Sequence, residues 1–215
     1  MSKENKFLLV ILSIAAIIGI SIACYQNFFA IRMMDRYSGT VTKYVSSVDK
    51  DGDGIDDATD IVDSAIAYVE TRPQYQSKYY ATGYPDDNYG VCTDVVAFAL
   101  LNAGYDLQTL VNEDILAHRD RYNIDIVDKN IDFRRVVNLN VYFQYNAISL
   151  TTDTSDITQW QGGDIVVYNN HIAIVSDRRN EDGLPYVIHH HSPEQYKYET
   201  DDLLYGEIIG HYRIS

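Results

Sequence analysis

DIVVYNNHIAIVSD, residues 164–177, holds two runs of β-branched and apolar residues separated by Asn169-Asn170. Two strand-like runs with a two-residue asparagine connection predict a β-hairpin, because asparagine tolerates the positive φ that such turns favour. PYVIHHH (185–191) follows a polar turn containing Gly183, and GEIIGHYRI (206–214) reads as a last strand near the C-terminus. The second half is therefore an antiparallel meander.

Upstream, the period changes. CTDVVAFALLNAG (92–104) is apolar on nearly every side and stops at Asn102 and Gly104, which predicts a buried core helix starting at Cys92. DLQTLVNEDILAHRD and NIDFRRVVNLNVYFQYN read as further helix and loop. Helices first and antiparallel strands second define an α+β domain.

A thiol in the first turn of a helix meets unpaired N–H groups and the positive end of the dipole, which favour its anion. The wider sequence makes this cysteine stand out. FLLVILSIAAIIGISIAC (7–24) carries no charge and is long enough to cross a bilayer, so residues 1–31 are expected to form a membrane anchor. A lipoprotein signal ending at Cys24 or a cleaved leader are the alternatives, and each exports the remainder. Exported domains pair their cysteines, yet the chain has only two, and Cys92 has no mate beyond the leader. The net charge of −14 argues against nucleic-acid binding, since an acidic surface repels a phosphate backbone.

DKDGDGIDDATD (49–60) places Asp49, Asp51, Asp53, Asp57 and Asp60 at loop positions 1, 3, 5, 9 and 12, with Gly54 at the sharp turn. Hard divalent cations need six to eight oxygens, which this spacing gathers, with the Ile55 carbonyl at position 7. The loop resembles the dockerin variety of EF-hand loop and predicts a structural Ca2+ site. Val41, Tyr44, Val45 and Val48 are spaced for an entering helix, and Ile61, Ala65, Tyr68 and Val69 for an exiting one. Residues 32–60 would form a juxtamembrane stem and residues 61–215 the main domain.

Register adds one more expectation. A turn centred on Asn180 sets His171 opposite His189, with Cβ atoms about 4.5–5.5 Å apart. Both imidazoles could then reach the thiol. His190 would face the opposite way.

A cysteine at a helix start, a histidine opening a strand and a polar residue on the next strand resemble the NlpC-type, papain-like cell-wall hydrolases. More closely, GVCTDVV, LVNEDI, NIDFRRVVNL, GGDIVVY, HIAIVSD, VIHH and GHYR resemble the bacterial domain-of-unknown-function family twelve eighty-seven, from about Ala65 to Ile214. That resemblance implies a cysteine peptidase or amidase with Cys92 as nucleophile, His171 as base and His189 orienting it. Tyr80 or Tyr84 would support the oxyanion, and peptidoglycan stem peptides would be the substrate. Two other readings compete: a zinc site built from Cys92, His171 and His189, with His191 as a further ligand, and a non-catalytic surface-binding module stabilised by Ca2+.

Overall fold

The computed structural model describes residues 5, 7, 11–21 and 31–214. Residues 11–21 are helical, while Cys24 and part of the apolar run lie outside the described residues. Among the described residues no helix is long and apolar enough to cross a membrane. From Ile31 onward the chain forms one compact unit. The expected stem, 32–60, is part of it: the Arg36 N–H donates to the Arg179 carbonyl at 2.8 Å, and the Tyr186 hydroxyl to the Met34 carbonyl at 3.1 Å.

Helix α1 (Asp57–Glu70) begins where Asp56 caps it, with the carboxylate accepting from the Thr59 N–H. The same carboxylate accepts the Ser46 N–H at 2.9 Å, so the incoming chain is pinned to the cap. The entering helix expected over Val41–Val48 is absent, since residues 31–56 contain neither helix nor strand. None of its four supposed anchors is buried: Val41, Tyr44 and Val48 are half-buried and Val45 is 63% exposed.

Short strands β1 (Gln74–Tyr75) and β2 (Tyr89–Gly90) pair in parallel and lead into α2 (Cys92–Asn102). Helix α2 starts at Cys92 and ends before Gly104, whose φ of +86° is the left-handed conformation that stops a helix. Asp94 reaches back to the Val91 N–H at 2.8 Å, as an acidic third residue does in a capping box. Helix α3 (Leu107–Ala117), two short 3-10 turns and α4 (Val136–Asn146) complete the helical half.

The sheet follows: β3 (Ile148–Ser149), β4 (Ile165–Tyr168), β5 (His171–Arg179), β6 (Pro185–Ile188), β7 (Glu199–Thr200) and β8 (Ile208–Arg213). Its antiparallel order is β3-β8-β4-β5-β6-β7, so the last strand lies between β3 and β4 instead of extending the meander. Tyr168 pairs with His171 across Asn169-Asn170, giving the two-residue hairpin, although neither asparagine takes positive φ. Both faces of the sheet are buried. Ile165, Val167, Ile172, Ile174 and Ile188 join the core under α1 and α2. Val166, Tyr168, Ala173, Val175 and Val187 pack with Trp160 and Leu203 on the other face. This period-2 division explains why the strands read as nearly continuous apolar runs.

Asp164, next to Gly162-Gly163, is fully buried. It accepts two hydrogen bonds from Arg213, at 2.6 and 2.8 Å, and lies 3.0 Å from Nε2 of His211. His211 in turn stacks on Trp160, ring centroids 3.7 Å apart. These groups hold β8 to the start of β4.

Candidate active site

Cys92 is the first residue of α2 and is 7% exposed. Its sulfur lies within reach of the N–H of Ile172, the second residue of β5, and of the N–H groups of its own helix start. Burial outweighs these donors and pushes the thiol up to about 11. No hydrogen bond joins the thiol to an imidazole among the described residues.

His171 opens β5 and is buried. Its Nε2 is 2.8 Å from Nδ1 of His189, and His189 Nε2 is 2.8 Å from Oγ1 of Thr200. The Asp202 carboxylate stands 3.6 Å from the same Nε2. The series His171, His189, Thr200 and Asp202 thus crosses from β5 to the segment beyond β7. Burial, then the nearby His189 and His191, push His171 down to about 3. The nearby His189 imidazole brings Asp202 down to about 2.

The two imidazoles meet, but the pairing differs from the expected one. Ile174 pairs with Ile188 and Val175 with Val187, so the strands are offset by two residues from the register centred on Asn180. A two-residue slip keeps every side chain on its own face. His171 and His189 therefore still share a face, with ring centroids 4.9 Å apart, while His191 lies at 6.4 Å. That face is the one carrying Tyr168, away from the apolar layer beneath α2. The thiol approaches the end of β5 from the α2 side, one peptide link from His171. His190 turns the other way, edge-on to Tyr75 and Tyr198.

A cleft of about 380 Å³ opens at this strand end, lined by Tyr75, Tyr168, Asn170, His171, His191 and Tyr205 among others. Neither tyrosine expected at the oxyanion lines it. The Tyr80 hydroxyl donates to Asp87 at 2.7 Å and the Tyr84 hydroxyl to Asp106 at 2.9 Å. Tyr75 occupies the cleft instead, close enough to Cys92 for a thiolate there to raise its own pKa. The β1–β2 pairing places it, since Tyr75 pairs with Gly90, two residues before the cysteine.

Asp94 and Arg134 form a buried ion pair beneath the site, with two hydrogen bonds at 2.6 and 2.9 Å. Arg134 is thereby committed to structure, while Arg135 is half exposed, 3.9 Å from Asp132. The zinc arrangement is not assembled. The only group of three or more acidic, histidine or cysteine side chains with converging ligand atoms, among the described residues, is Asp49, Asp51 and Asp53.

An α+β domain with a cysteine at a helix start and linked histidines at a strand end is the class this geometry defines. Residues 62–214 match the domain of unknown function DUF1287, and the chain belongs to that family. It is also similar to the uncharacterized protein YijF of Escherichia coli strain K12. The two are 34% identical over 166 residues, covering 71% of this chain and 80% of that protein. No solved structure matches the chain.

Proposed function

We propose that the domain is an exported cysteine hydrolase, a peptidase or amidase of the NlpC-type, papain-like kind, acting on amide bonds of peptidoglycan stem peptides. The observation that carries this reading is the 2.8 Å contact between His171 Nε2 and His189 Nδ1, which leaves His171 Nδ1 as the ring nitrogen available to a thiol. The apolar N-terminal run supports a location outside the membrane.

The proton positions follow from the acceptors. Asp202 and Thr200 favour a proton on His189 Nε2, so His189 Nδ1 accepts from His171 Nε2–H. His171 then carries its lone pair on Nδ1, the tautomer a general base needs. With the thiol near 11 and His171 near 3, the resting pair is neutral: thiol and imidazole, not thiolate and imidazolium. Proton transfer to His171 would accompany attack of Cys92 on the substrate carbonyl, and His171 would hand that proton to the leaving amine as the carbon–nitrogen bond breaks, giving the acyl-enzyme and a neutral imidazole. The acyl-enzyme would be hydrolysed by water that His171 activates. Donors for the oxyanion would be the Cys92 N–H and the Tyr75 hydroxyl, each worth about 2.7–4 kcal/mol where such groups have been removed from other enzymes.

The burial of Cys92 favours a second reading, a non-catalytic cell-surface binding module. Mass spectrometry of peptidoglycan fragments after incubation separates the two. New peptide termini with the native protein but not with Cys92→Ser support hydrolysis. Unchanged fragments, together with retained wall binding by Cys92→Ser, support the binding module.

A further inference from the structure

Calcium ligands recur by spacing in many acidic loops, so the cluster of Asp49, Asp51 and Asp53 is not enough on its own. One oxygen from each lies within 4.8 Å of the others. Oxygens bound to one Ca2+ at 2.3–2.6 Å can be no farther apart than about 5 Å. The second observation lies on α1. Asp60 is 92% buried, since only 8% of it is exposed, and its Oδ2 has no hydrogen-bond partner. A buried carboxylate oxygen without a donor costs stability unless something positive faces it.

We infer that Asp49, Asp51, Asp53 and Asp60, with the carbonyl of Ile55, form a divalent-cation site that takes Ca2+ and fastens the start of α1 to the loop before it. Asp60 lies in the first turn of α1, at the twelfth position of the loop, and a cation held by the loop would satisfy its orphaned oxygen.

Asp57, also expected as a ligand, has another task. One of its oxygens accepts the Lys50 N–H at 2.8 Å and the other the Tyr105 hydroxyl, and the carboxylate is fully buried. It is a strut between the loop and the chain just after α2, as position 9 residues can be when they meet the ion through water. Gly104 sits under the same loop: a Cβ there would lie 2.9 Å from Lys50 Cγ and 3.2 Å from the Asp51 nitrogen. The site thus ties together the cap of α1 and the end of the helix that carries Cys92.

Thermal unfolding of residues 31–215 within the full chain, with EDTA or with about 10 mM CaCl2, tests the site, alongside Tb3+ luminescence sensitised by nearby tyrosine. With extracellular-type affinity of about 10⁻⁴–10⁻³ M, Ca2+ should raise Tm by about 3–10 °C and quench Tb3+ emission by displacement. Asp60→Asn should abolish both effects without lowering Tm in EDTA, because it removes a buried charge that repels its neighbours. Asp51→Ala, at an exposed position, should abolish them too and guards against a folding defect in the first variant. An unchanged wild-type Tm in CaCl2, or a full calcium shift in either variant, overturns the site.

Discussion

Acidification should selectively weaken the domain through His171. In the folded protein its imidazole is held down to about 3, against an ordinary value of 6.5. The unfolded chain therefore binds more protons between those values, and stability is lost as the pH falls through that window. At about pH 4.5 an unfolded imidazole is two units below its pKa while the buried one is still neutral. At roughly 1.36 kcal/mol per unit this costs about 3 kcal/mol, almost none of which is lost at pH 7. His171→Gln has no such limb. Urea unfolding followed by far-ultraviolet circular dichroism at about pH 7 and about pH 4.5 measures the difference. The drop in unfolding free energy between the two pH values should be about 2–3 kcal/mol smaller in His171→Gln than in the native protein. Equal drops in the two proteins would refute the buried, neutral imidazole on which the proposed tautomer depends.

Arg134→Met leaves Asp94 charged and buried, so urea melts should show a loss of about 3–5 kcal/mol. A double-mutant cycle with Asp94→Asn should show that loss shrinking. Gly163 has φ of +89° and a Cβ there would lie 2.6 Å from the Ala58 carbonyl oxygen. Gly163→Ala should cost at least about 1–3 kcal/mol in the same assay, and a neutral result would contradict the close approach of β4 to α1. Tyr75→Ala should uncover Cys92 and speed its alkylation by a small thiol reagent at neutral pH, read by mass spectrometry of the intact chain. An unchanged rate would mean that Tyr75 does not stand between the thiol and solvent.

The helix at Cys92 was legible because its apolar residues run unbroken to a glycine that the backbone needs at positive φ. The hairpin was legible because two asparagines separate two strands whose faces are both buried. Local sequence says less about offset between strands. Strand β5 itself carries an irregularity between Val175 and Arg179 that shifts its pairing with β6, and no residue there announces it. Residues 41–48 carry valines at helical spacing but are held extended by contacts to Asp56 and Gln161, which lie outside any local window. Thr200 and Asp202 went unnoticed for the same reason: they reach His189 through strand pairing 11 and 13 residues away. Tyr75 was missed because only the short parallel β1–β2 ladder brings it to the cysteine. Tyr80 and Tyr84 looked equally eligible, and what disqualified them was a carboxylate partner for each hydroxyl.

The position of β8 constrains the order in which the chain can be completed. Its six residues follow every other strand of the sheet in sequence, yet they fill an interior place between β3 and β4. Arg32, near the opposite end, bonds to Asp177 and Glu199 across 145 and 167 residues. Ladder closure therefore waits for β8, and contacts this distant in sequence are slow to form.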